Sequence, residues 1–162
     1  MCGIFGVVVG NKASYSPQLT KLTVDNLFRL SESRGKEASG IAVLCNNKIK
    51  VEKHAEAASD LMGRDDYANV FDDLLAKDSS ANKDESAVAV IGHCRLVTNG
   101  AGQVHGNNQP VISSGMVGIH NGIITNVDEL WEQHSELDRQ YQVDTEILLS
   151  LIRKYFKETN DI

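Results

Sequence analysis

The chain commits itself to a strand at its first residues: Cys2-Gly3-Ile4-Phe5-Gly6-Val7-Val8-Val9. Ile4, Phe5, Val7, Val8 and Val9 read as buried, while Gly3 and Gly6 let neighbouring backbone approach closely. Any fold for this chain must therefore place a strand at the start, with a cysteine at its head. Aminopeptidases trim methionine before small residues, so the mature chain is expected to begin at Cys2. That residue would then carry a thiol and a free α-amine a few ångströms apart. An α-amine has a pKa of about 7.7–8.0, so near neutrality a useful fraction can take up the thiol proton, directly or through a water. This is the nucleophile–base pair of an N-terminal residue. The competing reading is an ordinary hydrophobic strand that starts with cysteine, and these residues alone do not separate the two.

Length and composition fit one globular domain spanning residues 1–162, with 41% hydrophobic residues available for a core. Sixteen basic residues against 22 acidic ones give a net charge of −6, which argues against nucleic acid or an anionic membrane surface as partner. No apolar run is long enough to span a bilayer and no signal peptide precedes the glycines, so the cytoplasm is the expected compartment. Three cysteines, an odd number, fit reduced thiols rather than a disulfide framework.

Along the chain, the first strand ends at Gly10-Asn11-Lys12, and Ser16-Pro17 supplies a helix start, serine as N-cap and proline at the first helical position. Leu19, Leu22, Leu27 and Leu30 lie near one face of that helix, which stops by Arg34-Gly35. Two strand-like runs, Gly40 to Cys45 and Lys48 to His54, flank Asn46-Asn47, a pair that tolerates the left-handed conformations of a tight hairpin. Tyr67, Val70, Phe71, Leu74 and Leu75 carry the helical period, and Lys77 to Glu85 reads as a polar connector.

Ala87 to Ile91 is an apolar strand leading into Gly92-His93-Cys94-Arg95-Leu96-Val97-Thr98-Asn99-Gly100. An arginine just past a buried strand can offer a fork of donors to a carboxylate; a solvated surface arginine is the plainer alternative. Neither CxxC nor HExxH spacing occurs, so no metal is expected, and His93 and Cys94 read as packing residues. In His120-Asn121-Gly122, either a hairpin turns, or an asparagine amide and the next backbone N–H converge on a developing oxyanion. Asn126 with Glu129 matches a capping box for a short helix containing Leu130 and Trp131. Asp144 opens the last helix as a cap, or as a carboxylate able to pair with a substrate ammonium. Ile147, Leu148, Leu151, Ile152, Tyr155 and Phe156 form its apolar face.

In one order along the chain stand Cys2-Gly3-Ile4-Phe5-Gly6, Arg34-Gly35 with Ser39-Gly40-Ile41-Ala42, Gly92-His93-Cys94-Arg95 with Thr98-Asn99-Gly100, Asn108-Gln109-Pro110, His120-Asn121-Gly122 and Asp144-Thr145-Glu146. Together they resemble the glutaminase domain of class II glutamine amidotransferases, members of the N-terminal nucleophile hydrolases. The resemblance implies an α+β fold, an αββα sandwich of two antiparallel sheets with helices on both outer faces. It implies hydrolysis of glutamine through a γ-glutamyl thioester, with no cofactor, and delivery of ammonia to a second site. By position, Cys2 matches the nucleophile, and Asn121 with the Gly122 N–H matches the oxyanion hole. Arg95, with Thr98 nearby, matches the grip on the glutamine α-carboxylate, and Asp144 the hold on its α-amine. Arg34-Gly35 matches a structural support for the loop bearing Cys2.

Family domains continue past the last helix with further strands, so the domain is expected to be incomplete at its C-terminal end. An acceptor-binding synthase domain or chain is the implied partner, and an open sheet edge would favour self-association into a homo-oligomer. His120-Asn121-Gly122-Ile123-Ile124 resembles the glucosamine-6-phosphate synthases, whereas Asn108-Gln109-Pro110, and Thr125-Asn126 with Glu129-Leu130, resemble the phosphoribosylpyrophosphate amidotransferases. The acceptor thus stays open between aminosugar phosphate and phosphoribosylamine synthesis. Two rival readings are an N-terminal nucleophile hydrolase acting on another amide, and a non-catalytic binding or regulatory domain of the same fold.

Overall fold

In the computed structural model, residues 2–10, 15–76, 87–96 and 104–159 are described. The first strand, β1 (Gly3–Val9), lies antiparallel to β4 (Val88–Arg95), far along the chain, with Gly3 opposite Cys94 and Val9 opposite Val88. β4 also pairs with β2 (Ala38–Cys45), which turns through Asn46 and Asn47 into β3 (Lys48–His54). The sheet order is β1-β4-β2-β3. Both turn asparagines take positive φ, 52° and 58°, the hairpin geometry that the Asn-Asn pair permits.

Strand residues alternate between the two sides of this sheet. Ile41, Val43 and Cys45 of β2 and Val88, Val90 and Cys94 of β4 share one core with Val24 and Phe28 of α1 (Pro17–Glu32). Three short helices, α2 (Ala58–Leu61), α3 (Asp65–Asn69) and α4 (Asp72–Ala76), add Leu61, Tyr67 and Leu74 to it. Phe28, Tyr67 and Phe71 are all essentially buried there. The alternate strand positions, His93 and Arg95 of β4 and Gly40 of β2 among them, point to the opposite side.

On that opposite side runs the segment from a 3₁₀ turn (His105–Asn107) into β5 (Val111–Ser113), which pairs with β6 (Met116–Gly118) in a two-stranded antiparallel sheet. α6 (Asp144–Thr159) packs on β5 and β6, and α5 (Val127–Gln133) packs on α6. The order helix, sheet, sheet, helix is that of an α+β αββα sandwich. A side chain on Gly40 would strike the Gln109 carbonyl and the Pro110 ring, so the glycine sets how closely the second layer approaches the first.

Several expectations need correction. β1 is half buried, not buried: Val8 is 78% exposed and Ile4 47%, because nothing described covers that side of the edge strand. Ser16 does cap α1, its Oγ accepting the Leu19 N–H at 3.2 Å. The leucine face of α1 nevertheless points outward at Leu19, Leu22 and Leu30, and Thr20, Val24 and Phe28 are the buried positions. The single helix expected around residues 67–75 is two short ones, and Arg95 closes β4 rather than following it. Asn126 stands at the N-cap of α5 without a side-chain cap bond. Of the expected apolar face of α6, Ile147 is buried, beside Thr145, Glu146, Leu149 and Ser150, while Leu148, Leu151, Ile152, Tyr155, Phe156 and Thr159 line an open groove of about 360 Å³. The polar inner face is satisfied: Glu146 accepts the N–H groups of Gln140 and Tyr141, each at 2.8 Å.

Candidate active site

Cys2 sits at the head of β1, partly buried. Its Sγ accepts the Leu96 N–H at 3.4 Å, so the end of β4 holds the thiol through backbone. The position is enforced from below and beside. A side chain on Gly3 would strike the Ser31 carbonyl at the end of α1, and one on Gly35 would strike the Arg95–Leu96 peptide. The Arg34-Gly35 corner thus packs against the backbone that touches the thiol; Arg34 itself is exposed. Met1 and Thr98 lie outside the described residues.

The His120-Asn121-Gly122 loop follows β6 and meets Cys2 from 119 residues away: Asn121 Nδ2 donates to the Cys2 carbonyl at 2.9 Å. Among the described residues no strand follows the loop, so it is not the turn of a hairpin. Asp144, at the first turn of α6, faces the same segment. Its Oδ2 accepts the Ile124 N–H at 2.8 Å, and its Oδ1 lies 3.6 Å from His120 Nδ1. Gln109 joins the loop to the helix, its amide bonding the His120 backbone and the Thr145 hydroxyl.

Arg95 is 5% exposed, and its NH1 donates to the Asn107 carbonyl at 3.2 Å and to Asn108 Oδ1 at 2.8 Å. Burial lowers its pKa, opposed by the charges of Cys2 and Glu37, and arginine stays cationic through such shifts. Lys53 of β3 is buried on the same side, donating to the carbonyls of Asn108 at 2.7 Å and Pro110 at 2.9 Å. Burial pulls its pKa down to about 8. His93 is 1% exposed; burial first, then the charges of Arg95 and His120, press its pKa down to about 4, opposed by its contact with the His120 backbone. Burial pushes the Cys94 thiol the other way, up to about 12, which makes it a poor nucleophile at neutral pH.

The arrangement therefore gathers one partly accessible thiol, an amide donor at its backbone, a buried cation and a carboxylate. Sequence reasoning did not single out Lys53, because a buried lysine in a strand rich in lysine gives no signal of its burial. Among the described residues, Glu52, His54 and Asp66 bring ligand atoms within 4.8 Å of one another, but His54 Nε2 and Glu52 Oε1 already pair at 2.5 Å. Among those residues, no helix is long and apolar enough to cross a membrane.

No family model matches the chain. Curated proteins do match it along its whole length. The glutamine–fructose-6-phosphate aminotransferase (isomerizing) of Clostridium perfringens is 34% identical over 164 residues, covering 97% of this chain and 23% of that protein. The protein of the same name from Pseudomonas putida is 32% identical, covering 100% of this chain and 23% of the relative. That from Sulfolobus acidocaldarius is 29% identical, covering 99% and 25%. The chain thus spans about a quarter of the length of these relatives.

Proposed function

We propose, from a chain that belongs among the glutaminase domains of class II glutamine amidotransferases, that it hydrolyses the glutamine side-chain amide and supplies the ammonia to aminosugar phosphate synthesis. The observation that carries this reading is the hydrogen bond from Asn121 to the carbonyl of Cys2, which sets an amide donor beside a thiol at the head of a strand. Removal of Met1 frees the Cys2 α-amine, which takes the thiol proton. The thiolate adds to the glutamine Cδ, and the carbonyl oxygen becomes an oxyanion met by Asn121 Nδ2 and the Gly122 N–H. Collapse breaks the C–N bond, the nitrogen takes the proton from the α-ammonium, and ammonia leaves. Water then attacks the γ-glutamyl thioester, giving glutamate and restoring the thiol. Preorganised donors of this kind are worth about 2.7–4 kcal/mol each.

Arg95, with Thr98, receives the α-carboxylate of glutamine, and Asp144 its α-ammonium; both charges already stand on the loop side of the sheet. Gly35, with Arg34, keeps the Leu96 backbone against the thiol. The relatives are glutamine–fructose-6-phosphate aminotransferases, which favours fructose 6-phosphate as acceptor over a phosphoribosyl group. The acceptor site then belongs to sequence equivalent to the remaining three-quarters of those relatives.

The test is glutamine hydrolysis by the protein as it occurs in the cell, with intact mass to read its N-terminus. Cys2→Ala and Asn121→Ala are expected to lower turnover by more than about 100-fold, while Cys45→Ala and Cys94→Ala retain most of it. A diazo-ketone glutamine analogue should label Cys2 alone. Retained Met1, or labelling of Cys94 instead, would overturn the reading.

A further inference from the structure

Gln109 belongs to none of the roles assigned so far, yet its side chain bonds both the His120 loop and the start of α6. Its side-chain Oε1 accepts the His120 N–H at 2.6 Å and its Nε2 donates to the His120 carbonyl at 3.0 Å. One amide thus satisfies both polar groups of a single loop residue, as a neighbouring strand would. The same Nε2 also donates to the buried Thr145 hydroxyl at 3.2 Å, next to Asp144. We infer that Gln109 is a positioning residue that fixes the oxyanion loop relative to the nucleophile; the inference rests on the function proposed above.

The seat of Gln109 is rigid. Lys53 Nζ donates to the carbonyls on either side of it, those of Asn108 and Pro110. Arg95 holds the Asn108 side chain. The Gln109 carbonyl rests where a side chain on Gly40 would have to go. Three strands of the main sheet therefore anchor residues 108–110, and the Gln109 amide passes that anchorage to His120. Asn121 and Gly122 come next in the chain. A misplacement of about 1 Å in catalytic geometry costs up to about 100-fold in rate, so a loop held through one amide depends on that amide. Gln109 makes no described contact with Cys2; it acts through His120.

Glutamate at 109 keeps the shape and the acceptor for the His120 N–H, but sets a carboxylate oxygen against the His120 carbonyl in place of a donor. In the protein as it occurs in the cell, Gln109→Glu is expected to lower kcat for glutamine hydrolysis about 10- to 100-fold and to change KM less than about threefold. A γ-semialdehyde analogue of glutamine, which adds reversibly to Cys2 and presents an oxyanion, should lose affinity by the same factor as kcat/KM. Alkylation of Cys2 by iodoacetamide should keep its rate, and it also counts active sites. A merely structural role would reduce that count and leave kcat per site and analogue affinity unchanged, which would overturn the inference. Gln109→Ala should act in the same direction; if it does not fold, Gln109→Glu alone decides. Asn121→Ala separates the two levels. If it leaves hydrolysis intact, the oxyanion reading fails; if it is defective while Gln109→Glu is normal per site, only the inference about Gln109 fails.

Discussion

Lowering the pH from 7 to 5 should weaken the folded state through His93 alone by an amount that can be worked out from its surroundings. The ring is 1% exposed and neighboured by Arg95 and His120. Its pKa is about 4 in the folded chain against 6.5 for an ordinary histidine. The folded value is the lower one, so the unfolded chain takes up a proton first. The contribution is fully present above pH 6.5 and is lost as the pH falls from there towards 4. In full it amounts to about 3 kcal/mol, of which about 2 kcal/mol is gone by pH 5. The assay is urea unfolding at pH 7, 6 and 5 for the parent and for His93→Leu, which cannot titrate. Other groups act alike in both, so the parent should lose about 2 kcal/mol more than the variant over this range. Two lines parallel to within about 0.5 kcal/mol, or an imidazole resonance titrating near 6.5, would refute the reasoning.

Replacing Arg95 by lysine removes a planar, two-donor fork, and Asp144→Asn removes the charge proposed to meet the substrate ammonium; each should weaken glutamine binding by roughly 2–5 kcal/mol, read as KM, and an effect below about twofold would exclude the pairing. Lys53 has a folded pKa of about 8 against 10.5 unfolded, so its burial costs most below pH 8 and is relieved as the pH rises from 8 to 10.5. Thermal unfolding should show the parent gaining on Lys53→Met across that window, and equal slopes would count against it.

How much of this was legible beforehand follows from what each residue's signal depends on. The Ser16-Pro17 start of α1, the Asn46-Asn47 hairpin and the apolar run of β4 rest on local backbone preferences, and they are where the sequence puts them. The burial of α1 was misread because leucines mark an apolar stripe without saying which stripe meets the sheet. Thr20 is buried while Leu30 is 71% exposed, since Val24 and Phe28 reach the sheet core and turn Thr20 in with them. The same happens in α6, where the polar residues Thr145, Glu146 and Ser150 face inward because the loops and β5–β6 offer them partners. Cys2, Asn121 and Asp144 stand in ordered motifs of the sequence, and the structure brings the segments that carry them together. The hold of Lys53 and Gln109 was not readable, because it arises from contacts across 55 residues and 11 residues between side chains and backbone atoms.

The pairing of β1 with β4 also sets an order of events during synthesis. Gly3 faces Cys94 and Val9 faces Val88, so the first strand has no ladder to join until β4 has been made. At roughly 5–20 residues per second, that leaves the amino end of the chain unpaired for several seconds or more on the ribosome. An aminopeptidase meets a loose, solvated end during that interval. Later, it would meet one whose next residue is in the ladder and whose cysteine is held by Leu96 and Asn121. For the reading proposed above, in which Cys2 is the nucleophile and its α-amine the base, the late strand partner thus gives time for Met1 to be removed before the site closes around it.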